Sequence, residues 1–64
     1  MSDTDLHYTF LTAVQYGGNF FRRLAEAGLA ADPTNRQRLI TAFPELTSIY
    51  GPDTELHKFI REVA

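Results

Sequence analysis

The chain has 64 residues and a mass of 7.2 kDa, and 44% of its residues are hydrophobic. A chain of this length buries only about 60% of its unfolded surface, so we expect one domain, residues 1–64, with a thin core. The formal net charge of −2 argues against strong nonspecific binding to nucleic acid. The absence of cysteine excludes disulfides, thiolate metal sites and a cysteine nucleophile.

The N-terminal segment does not resemble a targeting signal. Residues 1–5 are acidic, whereas a secretory signal begins with basic residues and continues into a hydrophobic stretch. The longest apolar runs are far shorter than a membrane-spanning segment. We therefore expect a cytoplasmic protein that does not enter a membrane.

The first predicted helix begins after Ser2 or Asp3, either of which can cap the free amides of a helix, and ends near Tyr16. Gly17 and Gly18 follow, and two glycines inside a helix would each cost about 1 kcal/mol relative to alanine. They therefore predict a stop or a sharp bend. The residues of this helix predicted to share one apolar face are Leu6, Phe10, Ala13 and Val14.

The second predicted helix has Asn19 as its N-cap and covers Phe20–Ala27. Gly28 is predicted to adopt the left-handed conformation that often follows the last turn of a helix. In that motif Leu29 would pack on Leu24, so the sequence predicts a helix end at this point.

A third helix is predicted to begin at Asp32-Pro33, because aspartate caps free amides and proline suits the first helical position. Its apolar face contains Leu39, Ile40 and Phe43, with the stem of Arg36 alongside. Pro44 disfavours helical geometry at the residue before it, so we expect the helix to end there. A short helix over Glu45 to Tyr50, showing Leu46 and Ile49 and closed by Gly51, is predicted to follow.

The last predicted helix has Asp53 as its N-cap and carries the clearest amphipathic pattern of the chain, formed by Leu56, Phe59, Ile60 and Val63. No segment shows the alternation of a half-buried strand. The predicted fold class is therefore all-α, a small single-domain bundle of four helices plus a short fifth helical segment.

The sequence shows no pattern typical of catalysis. His7 and His57 could meet if the first and last helices pack together, and Asp3, Asp53 or Glu55 could then complete a metal site, but surface positions explain both histidines more simply. No nucleophile elbow, phosphate-binding loop or dinucleotide fingerprint is present. We therefore expect no enzymatic activity, cofactor, metal or small-molecule substrate.

One alternative is a helix–turn–helix regulator that binds DNA. The predicted second and third helices are joined by a glycine turn, and four arginines bracket it: Arg22, Arg23, Arg36 and Arg38. The connection from Gly28 to Asp32 is longer than the turn of such units, and both flanks are acidic. We rank this interpretation below a protein-binding function.

The preferred interpretation is an interaction protein that binds a protein partner or itself. Tyr8, Leu11 and Gln15 share one side of the first helix, away from its main apolar face. Exposed apolar surface of this kind is typical of an interface, whereas a bundle that wraps the helix would bury both sides. The predicted partner-binding residues are Tyr8, Leu11, Gln15, Phe21, Arg22, Arg23 and Tyr50.

Several stretches of the sequence share a pattern of caps, turns and apolar residues with other proteins: Gly17–Leu29, Ala31–Pro33, Asn35, Leu39, Ala42–Leu46 and Tyr50–Pro52. In these stretches the sequence resembles a group of short, uncharacterised proteins encoded by bacteriophages and prophages. The resemblance covers about residues 8 to 52 and implies no activity. What it implies is a setting, namely a phage accessory protein that is made in a bacterial host and occupies a surface of a host or phage protein.

Overall fold

The computed structural model describes all 64 residues and contains five α-helices and no β-strand. The all-α prediction is therefore confirmed. The molecule measures 26 × 25 × 19 Å. The helices are α1 (Asp3–Tyr16), α2 (Asn19–Ala30), α3 (Pro33–Ala42), α4 (Glu45–Tyr50) and α5 (Glu55–Val63).

Helix α1 is the centre of the fold, because α2, α4 and α5 all pack on it. It carries five of the twelve buried residues. Two of these are threonines, and their hydroxyls donate to carbonyls one turn earlier: Thr9 to Asp5 at 2.7 Å and Thr12 to Tyr8 at 2.6 Å. Because these hydrogen bonds satisfy the hydroxyls, threonine can lie in the core without a desolvation penalty.

The N-terminus of α1 confirms one of the two predicted caps. The Ser2 hydroxyl accepts from the Asp5 amide, and the Asp5 carboxylate accepts from the Ser2 amide, both at 3.1 Å. These reciprocal bonds form a capping box, which satisfies amides that the helix itself leaves free. Helix α1 ends at Tyr16, as predicted.

The predicted end of α2 is wrong. The helix continues through Gly28 to Ala30, and no glycine in the chain has a positive φ. Gly28 is instead a buried position where α1 and α2 approach closely, because a Cβ there would lie 2.5 Å from the Phe10 ring. The N-cap is also displaced by one residue, to Gly18, so that Asn19 is the first residue of the helix.

Helix α3 begins and ends as predicted but contributes no buried residue. The Asp32 carboxylate accepts from the Asn35 amide at 2.8 Å, and Phe43 is the C-cap. The helix is fastened by Arg36, whose guanidinium donates to the carbonyls of Gly28 at 2.9 Å and Leu29 at 2.8 Å. The bond to Leu29 satisfies a carbonyl that the last turn of α2 leaves free, whereas the Gly28 carbonyl also accepts from the Ala31 amide at 3.3 Å.

Helix α4 has the predicted bounds and contributes Leu46 and Tyr50 to the core, whereas Ile49 is exposed. The predicted N-cap of α5 is wrong by one residue. Thr54 caps this helix by accepting from the His57 amide at 3.3 Å, while its hydroxyl donates to the Gly51 carbonyl at 2.7 Å.

The apolar core consists of one cluster where α1, α2 and α4 meet. It is surrounded by half-buried side chains from α1, α2 and α3. None of the five helices has the length and apolar character needed to cross a bilayer. The buried members of the cluster are Phe10, Ala13, Ala25, Leu46 and Tyr50.

Candidate interaction surfaces

Helix α5 presents most of its apolar pattern to solvent. Leu56 is 37% exposed, Phe59 51% and Val63 63%. These residues, at positions i, i+3 and i+7, lie on one side of the helix, and we name them the α5 stripe. Of the four residues in the predicted amphipathic pattern, only Ile60 is buried. The amphipathic pattern predicted from the sequence is present, but most of it faces solvent.

Helix α1 extends this apolar surface. A shallow groove of about 200 Å³ between α1 and α5 is lined by Leu11, Gln15, Ile60, Val63 and Ala64. Gln15 is exposed and Leu11 is half-buried. Two residues predicted to bind a partner therefore lie beside the α5 stripe.

Tyr8, a third predicted partner-binding residue, holds α5 in place. Its half-buried ring lies 6.2 Å from the His57 ring, and the Arg61 guanidinium lies over it at 5.1 Å from the centroid. Arg61 also contacts the Asp5 carboxylate at 3.3 Å. The hydrogen bond from the Ser2 amide, with a smaller contribution from Arg61, lowers the pKa of that carboxyl. Asp5 is thus kept anionic opposite the cation that covers Tyr8.

His57 is buried, contrary to the expectation of a surface histidine. It is 1% exposed, and its Nδ1 lies 3.0 Å from the Tyr50 carbonyl. Since a carbonyl only accepts, this bond places the proton on Nδ1, and the buried Nε2 has no hydrogen-bond partner. His7 is exposed, with Tyr8 between the two histidines. No group of three or more His, Asp or Glu residues is arranged to hold a metal ion.

Two further predicted partner-binding residues belong to the interior. Tyr50 is 7% exposed and is part of the core cluster, so its assignment to an interface is wrong. Phe21 is half-buried, with its ring 6.3 Å from that of Tyr50. Both residues were predicted to bind a partner because they lie away from the main apolar sides of their helices. In the structure α4 packs on α1, and this contact brings Tyr50 into the core.

A second apolar surface lies between α2 and α3. We name this open groove of about 410 Å³ the α2–α3 groove; its lining residues are Ala27, Ala31, Asn35, Arg38, Leu39 and Ala42.

Phe20, Phe21 and Phe43 form an aromatic cluster. Phe43 directly follows the lining residue Ala42, and its ring lies 5.6 Å from that of Phe20. Phe20 is 59% exposed and lies 5.2 Å from Phe21. Phe20 is therefore the one exposed ring of this aromatic cluster, since Phe21 and Phe43 are half-buried.

The four arginines of the helix–turn–helix alternative are not equivalent. Arg36 is half-buried and bonded to the end of α2, so its guanidinium is not free for phosphate or bases. Arg38 is exposed and donates to the Asn35 side chain at 3.1 Å. Arg22 and Arg23 are exposed and unpaired, since both ion pairs of the molecule lie elsewhere. Arg22 and Glu26 have the i, i+4 spacing of a helical ion pair, but no such pair forms.

The exposure of Leu56, Phe59 and Val63 cannot be read from the sequence. Helical periodicity shows that a helix has an apolar side but not which part of that side meets a neighbour. No local signal separates the two cases, because positions i, i+3, i+4 and i+7 span about 100° of the helix, the ordinary width of a core-facing side.

Comparison of the chain with family models, curated proteins and solved structures finds no match.

Proposed function

We propose that this chain is a non-enzymatic interaction protein that docks a protein partner, either a host or phage protein or a second copy of itself, on the α5 stripe and the adjoining groove at Leu11 and Gln15. The observation that carries the proposal is the exposure of Leu56, Phe59 and Val63 along one side of a single helix. A contiguous apolar patch on a small protein commonly marks a site of association, because each Å² withdrawn from water contributes about 25 cal/mol.

Helix α5 does not need its stripe in order to stay in place. Its N-terminus is capped by Thr54, His57 and Ile60 are buried, and Arg61 reaches the Asp5 carboxylate of α1. The fold therefore fixes the helix from one side and leaves the other side free. A preorganised surface of this kind favours binding, because little conformational entropy is lost on docking.

The cellular setting forms part of the proposal and follows from the resemblance to phage-encoded proteins. We place the chain in the cytoplasm of a bacterial host, where it would occupy a surface on a host or phage protein.

The experiment is affinity capture from cells that naturally make the chain, comparing the wild type with Phe59→Ser. Ile49→Ser is the matched control, because Ile49 on α4 is also a large exposed apolar residue, 46% against 51% for Phe59. We expect Phe59→Ser to capture at least tenfold less protein than the wild type, with unchanged helical circular dichroism. We expect Ile49→Ser to capture as much protein as the wild type. Equal capture by both variants, or unfolding of Phe59→Ser alone, would contradict the proposal.

A further inference from the structure

The α2–α3 groove has the chemistry of a docking site for an acidic amphipathic helix. Its floor is apolar, formed by Leu39 and three alanines, and its only charged lining residue is Arg38. Arg23 stands one helical turn before the lining residue Ala27 and has no carboxylate partner. A partner that fits this groove needs an apolar side to cover the floor and carboxylates to meet the two arginines.

Helix α5 of the same chain is such a helix. Glu55 and Glu62 lie along one border of the α5 stripe, since they fall one residue before Leu56 and Val63 in a seven-residue spacing. The Glu55 side chain is 93% exposed and only loosely paired with Lys58, at 3.7 Å on the surface. Lys58 lies farther from the stripe around the helix, so the immediate border is acidic.

The two surfaces belong to different parts of the molecule. Helix α5 packs on α1, whereas α3 packs on α2. The α5 stripe and the α2–α3 groove are therefore both exposed on one chain, although they are complementary in charge and apolar character. From this complementarity we propose that the α5 stripe of one copy docks in the α2–α3 groove of a second copy, with Glu55 and Glu62 facing Arg23 and Arg38. The inference rests on the proposed function, for which it names the partner.

Pairing of two α5 helices with each other is less favourable. In an antiparallel pair the Glu55 and Glu62 borders of the two copies would face one another and repel. Docking of the stripe into the groove instead brings opposite charges together. Because this contact joins two different surfaces, each added copy leaves a free stripe and a free groove, and association continues beyond a dimer.

The contact is expected to be weak. A standard interface covers about 800 Å² per partner, and that area would be one fifth of the 3970 Å² surface of this chain. The stripe is three side chains on a nine-residue helix, so it covers less. We therefore expect self-association that rises with protein concentration into the range of about 0.1–1 mM and falls with added salt.

The first measurement is sedimentation equilibrium of the wild type over that concentration range, at low and high salt. The expected result is an average mass that increases with concentration past that of a dimer. A strictly monomeric chain at about 1 mM and low salt would overturn the inference. If the chain is monomeric but its capture of a partner still depends on Phe59, the inference of self-association fails and the proposed function stands. If Phe59→Ser changes neither the captured protein nor the average mass, the inference and the proposed function both fail.

The second measurement uses two charge-reversal variants. Glu55→Lys with Glu62→Lys reverses the border of the stripe, and Arg23→Glu with Arg38→Glu reverses that of the groove. Each variant alone is expected to self-associate at least tenfold more weakly, and an equimolar mixture is expected to recover association, because opposite charges then meet at both kinds of contact. Arg22→Glu is the matched control and is expected to associate like the wild type, since Arg22 does not line the groove.

Each remaining outcome is decisive. Self-association that survives both reversals, or a mixture that shows no recovery, would overturn the pairing of stripe and groove. Binding of random-sequence duplex DNA at low salt that is lost in the Arg23→Glu, Arg38→Glu variant would assign these arginines to nucleic acid and overturn it as well.

Discussion

Helices α1 and α5 show opposite relations between sequence pattern and burial. Helix α1 has a poorly defined apolar side, yet it carries Leu6, Phe10 and Ala13 in the interior together with two threonines. Helix α5 has the cleanest amphipathic pattern of the chain, yet most of that pattern is exposed. The difference lies in neighbours: α1 is surrounded by three helices, whereas α5 has α1 on one side.

The periodicity of apolar residues in a helix therefore does not determine which of them are buried. A helix at the centre of a small domain needs small and polar residues that tolerate close packing on several sides. A helix at the edge buries only the residues on the side that meets the rest of the domain, which here are His57 and Ile60. An apolar residue left over at such an edge then becomes available for association.

The same substitution in both helices gives the largest predicted contrast. Phe10→Ala removes a fully buried ring and is expected to lower the free energy of unfolding by about 3–5 kcal/mol, most of the stability of a chain this small. Phe59→Ala removes a half-exposed ring and is expected to lower it by less than about 1 kcal/mol. Urea unfolding followed by circular dichroism measures both values. Similar losses in the two variants would show that Phe59 belongs to the core.

The second-largest loss of stability is expected from a substitution at the contact between α1 and α2. Gly28→Ala adds a Cβ 2.5 Å from the Phe10 ring, so we expect a loss of about 1–3 kcal/mol even though alanine favours helix. Thermal unfolding measures the change.

The control for this contact is the same substitution in a Phe10→Leu background, where the side chain opposite Gly28 is smaller. We expect the alanine to be tolerated better there. An equal loss in both backgrounds would assign the cost to something other than the ring.

The smallest loss of stability is expected from removal of the side chain that caps α5. Thr54→Ala removes the hydroxyl that accepts from the His57 amide, and we expect a loss of about 1 kcal/mol in the free energy of unfolding. Asp53→Ala is the matched control at the neighbouring, exposed position and is expected to change stability by less than about 0.5 kcal/mol. The reverse order of the two losses would restore Asp53 as the cap.

Much of the fold could be predicted from single residues with strong local preferences. Ser2 and Asp32 cap their helices, Pro33 begins α3, and Pro44 separates α3 from α4. The errors occur where tertiary contacts override local preference. Gly28 has the local features of a helix end, but it lies inside α2 where the Phe10 ring leaves no room for a Cβ, and no local pattern reveals this contact.

The interaction surface was only partly predictable, for a related reason. Leu11 and Gln15 stood out because they lie away from the main apolar side of α1, and this property does not depend on how the helices pack. Tyr50 was predicted to bind a partner but is buried, whereas Phe59 is exposed, because the packing of α4 and α5 on α1 decides which of them is covered. That choice depends on contacts between residues far apart in the chain.

The two arginines that hold helices in place differ in the length of chain that they bridge. Arg36 bonds to carbonyls seven and eight residues earlier, whereas Arg61 reaches a carboxylate 56 residues earlier. Short loops close at a smaller entropic cost than long ones. The α2–α3 pair is therefore expected to form early during folding, and the docking of α5 to complete the domain.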